Sequence, residues 1–243
     1  MRILGVIPAR FGSSRFPGKP LIDLKGKTMI QRVFDSVKNS GLFNDVIVAT
    51  DDERIFQEVV SFGGKVELTS TNHASGTDRC GEIIERNPDF DVVINIQGDE
   101  PLVNPLQLKQ LIELFASESV QIGTLVTRKI SPEDVLNVNR IKVVVDKNQK
   151  AIYFSRSPIP NSFQEKEMSF EDQIYYRHIG LYGYRYEILK QLVKLEPCLL
   201  EQMESLEQLR WMYHGFFIHT SETEIETPNI DTPEDVEKVL ALL

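Results

Sequence analysis

The segment Pro8–Leu21 combines two glycines with three cations, directly after an apolar run typical of a buried strand. Glycine lets backbone amides approach an anion closely, and cationic side chains supply the opposite charge. About 20 residues separate this apolar run from the next helix signal, a length that is typical of functional loops. The segment therefore predicts a cradle for a polyphosphate, with a basic surface loop as the alternative. The cations are Arg10, Arg15 and Lys19.

The spacing of this segment differs from that of the two best-known phosphate-binding loops. A Walker A loop has four residues between its first glycine and the Gly-Lys pair, and a serine or threonine then holds magnesium. Here five residues separate Gly12 from Gly18, and Pro20 follows Lys19. The Gly-x-Gly-x-x-Gly fingerprint is also missing. If phosphates bind this segment, carboxylates elsewhere in the chain must hold the magnesium.

A carboxylate stands at the end of another predicted strand, in the sequence Gln97-Gly98-Asp99-Glu100-Pro101. Gly98 permits a tight turn, after which Asp99 projects from the strand tip. Mg²⁺ commonly takes one or two carboxylates together with substrate oxygens. Asp99 is therefore a predicted Mg²⁺ ligand, and an acidic turn that simply closes the strand is the alternative.

A second carboxylate is predicted near the C-terminus, where Asp231 precedes a helix start. Thr232 suits the N-cap, Pro233 the first helical position and Asp235 the capping-box position. The segment Ser131–Val135 repeats this helix start but has an isoleucine before the cap. Asp231 is therefore the one acid that the helix start does not require, and it is the candidate second Mg²⁺ ligand.

The segment Asn72–Arg79 places hydroxyls and a glycine at the predicted start of another helix. Free amides at Gly76, together with the Ser75 and Thr77 hydroxyls, suit hydrogen bonds to a ribose or a base edge. Ordinary helix capping explains the same residues equally well.

A cluster of arginine, histidine and tyrosine occurs in two predicted strands of the second half. Arg156 ends one of them and could bind a carboxylate through its guanidinium fork. His178, Tyr182 and Tyr184 share one face of the other strand by their period of two. A solitary arginine or histidine at a strand end is usually structural, so this prediction depends on the cluster. The segment 206–210 indicates an amphipathic helix with two polar residues beside its apolar face, Glu207 and Gln208.

Strand and helix signals alternate through the first hundred residues, which predicts an α/β fold with an open, twisted, mainly parallel sheet. Ligands in such folds bind beyond the carboxyl ends of the strands, where the three candidate segments of the first half should meet. Predicted strands cover 3–7, 46–50, 66–69, 91–96, 122–127, 142–145, 152–155, 178–184 and 216–219. Predicted helices cover 28–40, 75–86, 186–193 and 206–213, with one from Asp51 or Asp52 to Gly63 and one from Pro233.

The composition narrows the class of protein further. The chain has 243 residues and a formal net charge of -9, which argues against a nucleic-acid partner because such proteins need a basic face. Positive charge is nevertheless concentrated in residues 1–30, which suits a small anion. Two cysteines without C-x-x-C spacing favour reduced thiols in a cytoplasmic protein. No stretch predicts a signal peptide or a membrane span.

Taken in order, these segments make the chain resemble the CMP-Kdo synthetases, the 3-deoxy-manno-octulosonate cytidylyltransferases, over essentially its whole length. The resemblance implies a Rossmann-like nucleotidyltransferase fold, with a mixed, mainly parallel sheet, helices on both faces and a smaller lobe for sugar binding and dimerisation. It implies one domain, 1–243, in which 1–130 is mainly nucleotide-binding and about 150–215 mainly sugar-binding and dimerisation. The matching segments are Pro8–Leu21, Val48–Asp51, Ser75–Arg79, Gln97–Pro101, Tyr153–Arg156, His178–Tyr184, Leu206–Arg210 and Asp231–Val236.

The resemblance also implies a Mg²⁺-dependent homodimer in lipopolysaccharide biosynthesis, in which CTP and a 2-keto-3-deoxy sugar acid give the CMP-sugar and pyrophosphate. The implied catalytic residues are Arg15, Lys19, Asp99 and Asp231, the last two as the metal ligands. The implied nucleotide-binding residues are Pro8, Ala9, Arg10, Arg15, Lys19, Ser75, Gly76, Arg79, Gln97 and Asp99. The implied sugar-acid-binding residues are Arg156, His178, Tyr182, Glu207 and Gln208.

Two alternatives to this function stay open from the sequence. The first is a cytidylyltransferase for another sugar acid: the strands around Tyr153 and His178 disfavour sialic acid, but nothing excludes an amino group on Kdo. The second is a non-catalytic nucleotide-binding regulator, which should have lost the acids or Lys19, and neither is lost.

The chain departs from the family at Phe16, where leucine is common. The segment Asn161–Asp172 matches nothing recognisable and could shape the sugar pocket or the dimer.

Overall fold

The computed structural model describes residues 1–12, 16–161, 170, 174–230 and 232–243. Within them, the strands are β1 (Ile3–Ala9), β2 (Asp45–Thr50), β3 (Val66–Leu68), β4 (Val92–Asn95), β5 (Ile122–Thr127), β6 (Lys142–Val145), β7 (Ala151–Ser155), β8 (Tyr176–Arg185) and β9 (Ile218–Glu222). The helices are α1 (Met29–Asn39), α2 (Glu53–Ser61), α3 (Gly76–Arg86), α4 (Pro105–Glu113), α5 (Pro132–Leu136), α6 (Tyr186–Leu192), α7 (Leu199–Glu204), α8 (Gln208–Tyr213) and α9 (Pro233–Leu240).

The chain forms two compact units. The first contains residues 1–109, 183–193 and 226–243, and the second contains 110–182 and 194–225. The predicted assignment of nucleotide binding to 1–130 and of sugar binding to a smaller lobe stays a prediction. The predicted α/β class with a mixed, mainly parallel sheet is confirmed.

The sheet of the first unit has the strand order β3-β2-β1-β4, and its neighbours are parallel. β1 lies between β2 and β4, with Leu4 opposite Asp45 on one side and Ile3 opposite Val92 on the other. Its core positions are almost free of solvent, which is the environment that a continuous apolar run requires. Parallel pairing brings the ends of β1, β3 and β4 to the same edge, as the sequence predicts.

The second unit has the strand order β8-β5-β9. β5 is parallel to β9, and β6 is antiparallel to both β7 and β8. The strand pairs of β6 are therefore antiparallel, which makes the sheet mixed.

A small apolar cluster connects the C-terminal segment to the loop after β1. Ile230 and Val239 are fully buried against Leu24 and Met29, and the partly buried Phe16 packs on the same cluster. Burial of these side chains holds the start of α9 beside the loop between β1 and α1. The segment that precedes Asp231 is thereby fixed near the predicted phosphate loop.

Most predicted elements lie within two residues of the observed ones. Asp52, rather than Asp51, caps α2, and α8 begins at Gln208, later than predicted. β9 also begins and ends later than the predicted strand. The sequence does not predict α4 or α7, and for α5 it shows only the start of the helix. Among the described residues, no helix is both long and apolar enough to span a membrane.

Candidate active site

A cavity of about 260 Å³ opens in the first unit, where the loops after β1, β3 and β4 come together. All of the predicted nucleotide-binding residues line it except Arg15, which lies outside the described residues. The cavity also contains Pro20, His73, Ala74 and Gly98, which the prediction did not include. The lining residues are Pro8, Ala9, Arg10, Lys19, Pro20, His73, Ala74, Ser75, Gly76, Arg79, Gln97, Gly98 and Asp99.

Two glycines shape the loops at this cavity. Gly18 has a φ of 74°, a backbone conformation that residues other than glycine rarely adopt. Its amide donates to the Phe11 carbonyl at 2.9 Å. At Gly98, an added Cβ would lie 2.7 Å from the carbonyl oxygen of Pro8. Glycine is therefore required at residue 98, because any side chain would push the β4 loop away from the end of β1.

Lys19 forms the central ion pair of the cavity. Its Nζ lies 2.5 Å from Oδ2 of Asp99 and 3.2 Å from the carbonyl oxygen of Ile230. The amide of Ile230 in turn donates to the carbonyl of Asp99 at 3.0 Å. The loop after β1, the loop after β4 and the residue before Asp231 are thus joined by hydrogen bonds. Asp231 itself lies outside the described residues.

The donor set at Asp99 fits a hard divalent cation. Its carboxylate already holds one cation, the ammonium of Lys19, at 2.5 Å. Within the described residues there is no group of three or more His, Cys, Asp or Glu side chains that could hold a metal. Mg²⁺ does not need such a group, because it commonly takes one or two carboxylates and completes its shell with water and substrate oxygens.

Helix α3 places the predicted ribose-binding and base-binding residues at its first turn. Ser75 is its N-cap, and a complete capping box joins Ser75 to Asp78. Both interpretations of this segment therefore apply to the same residue, since Ser75 caps the helix and also lines the cavity.

Arg79 lines the cavity, but its guanidinium donates to neighbouring loops. Nη2 lies 2.5 Å from a carboxylate oxygen of Asp51, and Nη1 donates to Thr69 Oγ1 and to the Ser70 carbonyl. These bonds tie the chain after β2 and the chain after β3 to α3. Arg79 thus stabilises the cavity wall, and its predicted contact with the nucleotide stays a prediction.

His73 is a cavity residue for which the sequence offered only its place inside the segment 72–79. Its Nε2 lies 2.5 Å from Oε2 of Glu82, on the second turn of α3. The side chain is 22% exposed. A partly buried glutamate six residues into a helix is indistinguishable by sequence from an ordinary surface glutamate, so the pair could not be predicted.

The aromatic part of the predicted sugar site lies in the second unit. The rings of His178 and Tyr182 are 5.2 Å apart, and Tyr182 packs edge-on against Trp211 at 5.1 Å. His178 Nε2 lies 2.9 Å from Thr124 Oγ1. Burial, with a smaller contribution from Arg177, lowers the pKa of His178 to about 3. Trp211 is thus a neighbour of the predicted site residue Tyr182.

Tyr182 and the polar edge of α8 are close enough to interact electrostatically. Burial raises the pKa of Tyr182 well above its usual range, and the charge of Glu207 raises it further. Glu207 is the residue before α8, and Gln208 is buried at its first position. The phenol therefore stays protonated at neutral pH and can donate a hydrogen bond.

Arg156 is bound by the chain around it instead of standing free at a strand end. Nε donates to the Glu204 carbonyl at 2.7 Å and Nη1 to the Val138 carbonyl at 2.9 Å, while its amide donates to the Glu204 carboxylate. Its own carbonyl accepts from Lys142, a fully buried lysine whose pKa burial lowers. Nη2 also donates to the Ser205 carbonyl at 3.3 Å, so all three guanidinium nitrogens donate within the unit, and the predicted carboxylate fork stays a prediction.

The parallel sheet and the glycine-containing, cation-bearing loops around the cavity define a nucleotidyltransferase. A family model described as "Cytidylyltransferase" matches residues 4–225. A 3-deoxy-manno-octulosonate cytidylyltransferase of Cytophaga hutchinsonii is 48% identical over 98% of this chain and 96% of its own length. The corresponding protein of Bacteroides thetaiotaomicron is 51% identical over 97% and 96%. The chain belongs to the family of 3-deoxy-manno-octulosonate cytidylyltransferases.

Solved structures agree with this assignment. A CMP:2-keto-3-deoxy-manno-octonic acid synthetase complexed with CTP has a TM-score of 0.92 and 42% identity, and the match covers 100% of this chain and 98% of that one. A 4-diphosphocytidyl-2C-methyl-D-erythritol synthase from Anaerococcus prevotii has a TM-score of 0.63 at 12% identity, over 99% and 97% of the two chains. The second match shows the fold alone.

Proposed function

We propose that this chain transfers CMP from CTP to the anomeric hydroxyl of 3-deoxy-manno-octulosonate (Kdo), giving CMP-Kdo and pyrophosphate for lipopolysaccharide biosynthesis. The observation that carries the proposal is the cavity formed by the loops after β1, β3 and β4, with Lys19 and Asp99 paired inside it. The 42% identical structure complexed with CTP supports CTP as the nucleotide. The relatives that are named 3-deoxy-manno-octulosonate cytidylyltransferases support Kdo as the acceptor.

Charge is the main obstacle to this reaction, since both substrates are anions. The anomeric hydroxyl attacks the α-phosphorus, its oxygen forms the new P–O bond, and the bond to the β-phosphate oxygen breaks. Arg15 and Lys19 bind the β- and γ-phosphates and stabilise the negative charge that develops on the departing pyrophosphate. Arg10 adds a third positive charge at the rim of the cavity.

Asp99 and Asp231 are the proposed Mg²⁺ ligands. The carboxylate of Asp99 fits this role, and the hydrogen bond between Asp99 and Ile230 supports a shared site with the residue that follows Ile230. When bound, the ion would supply charge neutralisation and would lower the pKa of a coordinated hydroxyl. Lys19, which neutralises Asp99 in this structure, would then be available to the phosphates.

The proposed sugar-acid-binding residues are Arg156, His178, Tyr182, Glu207 and Gln208. The pKa of His178, lowered to about 3, keeps its ring neutral at physiological pH. Tyr182 stays protonated because burial raises its pKa. Both rings therefore act as neutral hydrogen-bonding groups toward sugar hydroxyls. The positive charge that a carboxylate needs is assigned to Arg156.

A homodimeric, cytoplasmic enzyme completes the proposal, since the resemblance implies a dimer and the reaction consumes CTP. Cys80 and Cys198 are the chain's two cysteines and both are buried, and so low a cysteine content agrees with a reducing compartment. Most of the segment Asn161–Asp172, to which the dimer contact and sugar choice were assigned, lies outside the described residues.

A pyrophosphate-release assay tests the proposed reaction. CTP, UTP, ATP and GTP are each combined with Kdo, 8-amino-Kdo and a sialic acid, with Mg²⁺ present. We expect release above background with CTP and Kdo. A preference for 8-amino-Kdo would reassign the acceptor, and binding of CTP without release in any combination would favour the non-catalytic alternative.

A further inference from the structure

His73 is held against the wall of the cavity by a carboxylate that is itself fixed. Oε2 of Glu82 lies 2.5 Å from His73 Nε2 and accepts the Ser70 amide at 2.8 Å. The other oxygen of Glu82 pairs with Arg86, which also donates to the Leu68 carbonyl. The imidazole is thus oriented by groups from both the β3 loop and α3.

The charge state of Glu82 determines which ring nitrogen carries the proton. Burial acts to raise the pKa of Glu82, but the Ser70 and His73 hydrogen bonds and the charge of Arg86 outweigh it and lower that pKa. An ionised carboxylate is acceptor-only, so Nε2 must donate to it. In a neutral imidazole, Nδ1 is then the hydrogen-bond acceptor, because the tautomer is set by the bond at the other nitrogen.

His73 and the Lys19–Asp99 pair line the same cavity from different loops. Asp99 follows β4, and His73 follows β3, which are the two outer strands of the order β3-β2-β1-β4. Neighbouring strands lie about 4.8 Å apart, so three spacings separate the strand ends by roughly 14 Å. A nucleoside triphosphate with its phosphates at Lys19 can place its base beside His73, because both residues line this cavity.

We propose that His73 selects the nucleobase by accepting a hydrogen bond from the exocyclic amino group of cytosine through Nδ1. Uracil carries a carbonyl oxygen at that position. This oxygen and Nδ1 are both acceptors, so they cannot form a hydrogen bond with each other. Glu82 acts as the positioning residue that sets the tautomer. This inference rests on the proposed function, because it assigns a role within the same CTP site.

The test compares CTP with UTP in the variants His73→Phe and His73→Ala. Removal of the acceptor should lower kcat/KM for CTP by about tenfold or more, mainly through KM. The value for UTP should stay the same or rise, and KM for the sugar acid should not change. His214→Phe is the matched control, because that exposed histidine lies in the second unit and should leave the CTP/UTP ratio unchanged.

A tautomer readout separates base selection from a structural role. In Glu82→Gln, the amide can donate to Nε2, which allows the ring proton to move to Nδ1. The ratio of kcat/KM for CTP to kcat/KM for UTP should then fall, because the value for UTP rises. Calorimetric binding of CTP and UTP gives the same comparison without turnover and covers a variant that folds but is inactive. An unchanged ratio in folded His73 variants would overturn the inference while leaving the proposed reaction intact. No release by the unmodified protein would overturn the proposed reaction instead.

Discussion

Lys19 donates to two acceptors that lie far apart in the chain, the carboxylate of Asp99 and the carbonyl of Ile230. Charge-assisted hydrogen bonds of this kind are about twice as strong as neutral ones. The pair is also largely shielded from water, with the Lys19 side chain 14% exposed and that of Asp99 23% exposed. One ammonium group therefore holds the phosphate loop, the β4 loop and the start of the C-terminal segment together before any substrate binds.

The first prediction concerns the carboxylate of this pair. Asp99→Asn keeps the size of the side chain but removes the charge that a divalent cation requires. We expect kcat to fall by about 100-fold or more, as is usual when a group that stabilises charge in the transition state is lost. Pyrophosphate release across a Mg²⁺ titration measures the effect.

Asp35→Asn is the matched control for that variant. Asp35 pairs with Lys27 at 2.6 Å on the surface, where ion pairs contribute little. Its turnover should equal that of the unmodified protein. A normal rate for Asp99→Asn at ordinary Mg²⁺ would refute the metal assignment.

At the level of single residues, the sequence predicts which side chains meet better than it predicts what they bond to. Lys19 and Asp99 could be brought together because each lies on a loop that follows a parallel strand. The partners of Arg79 and Arg156 could not, since a guanidinium that donates to backbone carbonyls leaves no pattern in the sequence. The same limit applies to the His73–Glu82 pair.

The elements around the cavity depend on a close approach between the ends of β1 and β4. Pro8 lies near the end of β1, and its ring packs 3.4 Å from the position that a Cβ at Gly76 would take. Pro8 is therefore enclosed by the first turn of α3 on one side and by Gly98 on the other. These close approaches at Pro8, together with the hydrogen bonds of Lys19, set the spacing of the loops.

Gly98→Ala tests this spacing. The new Cβ would lie 2.7 Å from the Pro8 carbonyl oxygen, so the β4 loop must move and carry Asp99 with it. We expect kcat/KM for CTP to fall by about 10- to 100-fold, because displacements near 1 Å are costly in positioned sites. Thermal unfolding should change little, since the loop can move toward solvent.

Gly81→Ala is the control that separates displacement of the β4 loop from the effect of steric overlap elsewhere in the first unit. Its Cβ would lie 2.6 Å from Cγ1 of Val193, inside the first unit and outside the cavity lining. That variant should lose stability, by about 1–3 kcal/mol, and keep its KM for CTP. The same KM for CTP in both variants would contradict the role of the Gly98–Pro8 contact.

At the level of elements, the sequence predicts the parallel strands well because their apolar runs are continuous and bounded by turn residues. It misses α4 and α7, whose exposed apolar residues weaken the helical period. Leu106 in α4 is 59% exposed, and Met203 in α7 is 75% exposed. Helices that place large apolar groups in water do not show the one-sided pattern on which such predictions depend.

For the molecule as a whole, the net charge of -9 is opposed by a local concentration of cations in residues 1–30. The sequence already shows this asymmetry, and the structure places Arg10 and Lys19 in the cavity. What composition cannot show is how folding shifts the titration of individual groups. His178 is the clearest case, because burial lowers its pKa to about 3.

A lowered histidine pKa makes stability fall in acid. The ordinary pKa of histidine is about 6.5, so between that value and the folded value of about 3 the unfolded state binds one more proton than the folded state. The contribution of His178 to the free energy of unfolding is therefore fully present above pH 6.5. It falls by about 1.4 kcal/mol per pH unit as the pH falls toward 3. Burial also lowers the pKa of His219, which adds to the same trend.

His178→Gln should flatten the dependence of unfolding free energy on pH, because glutamine keeps a polar partner for Thr124 but does not titrate. Urea unfolding at pH 7, 6 and 5 gives the slope, and the slope is informative even if the variant is less stable at every pH. His214→Gln should retain the slope of the unmodified protein, since His214 is exposed. Parallel curves for His178→Gln and the unmodified protein would show that folding does not lower the pKa of His178, which would contradict the burial effect that keeps the ring neutral in the proposed sugar site.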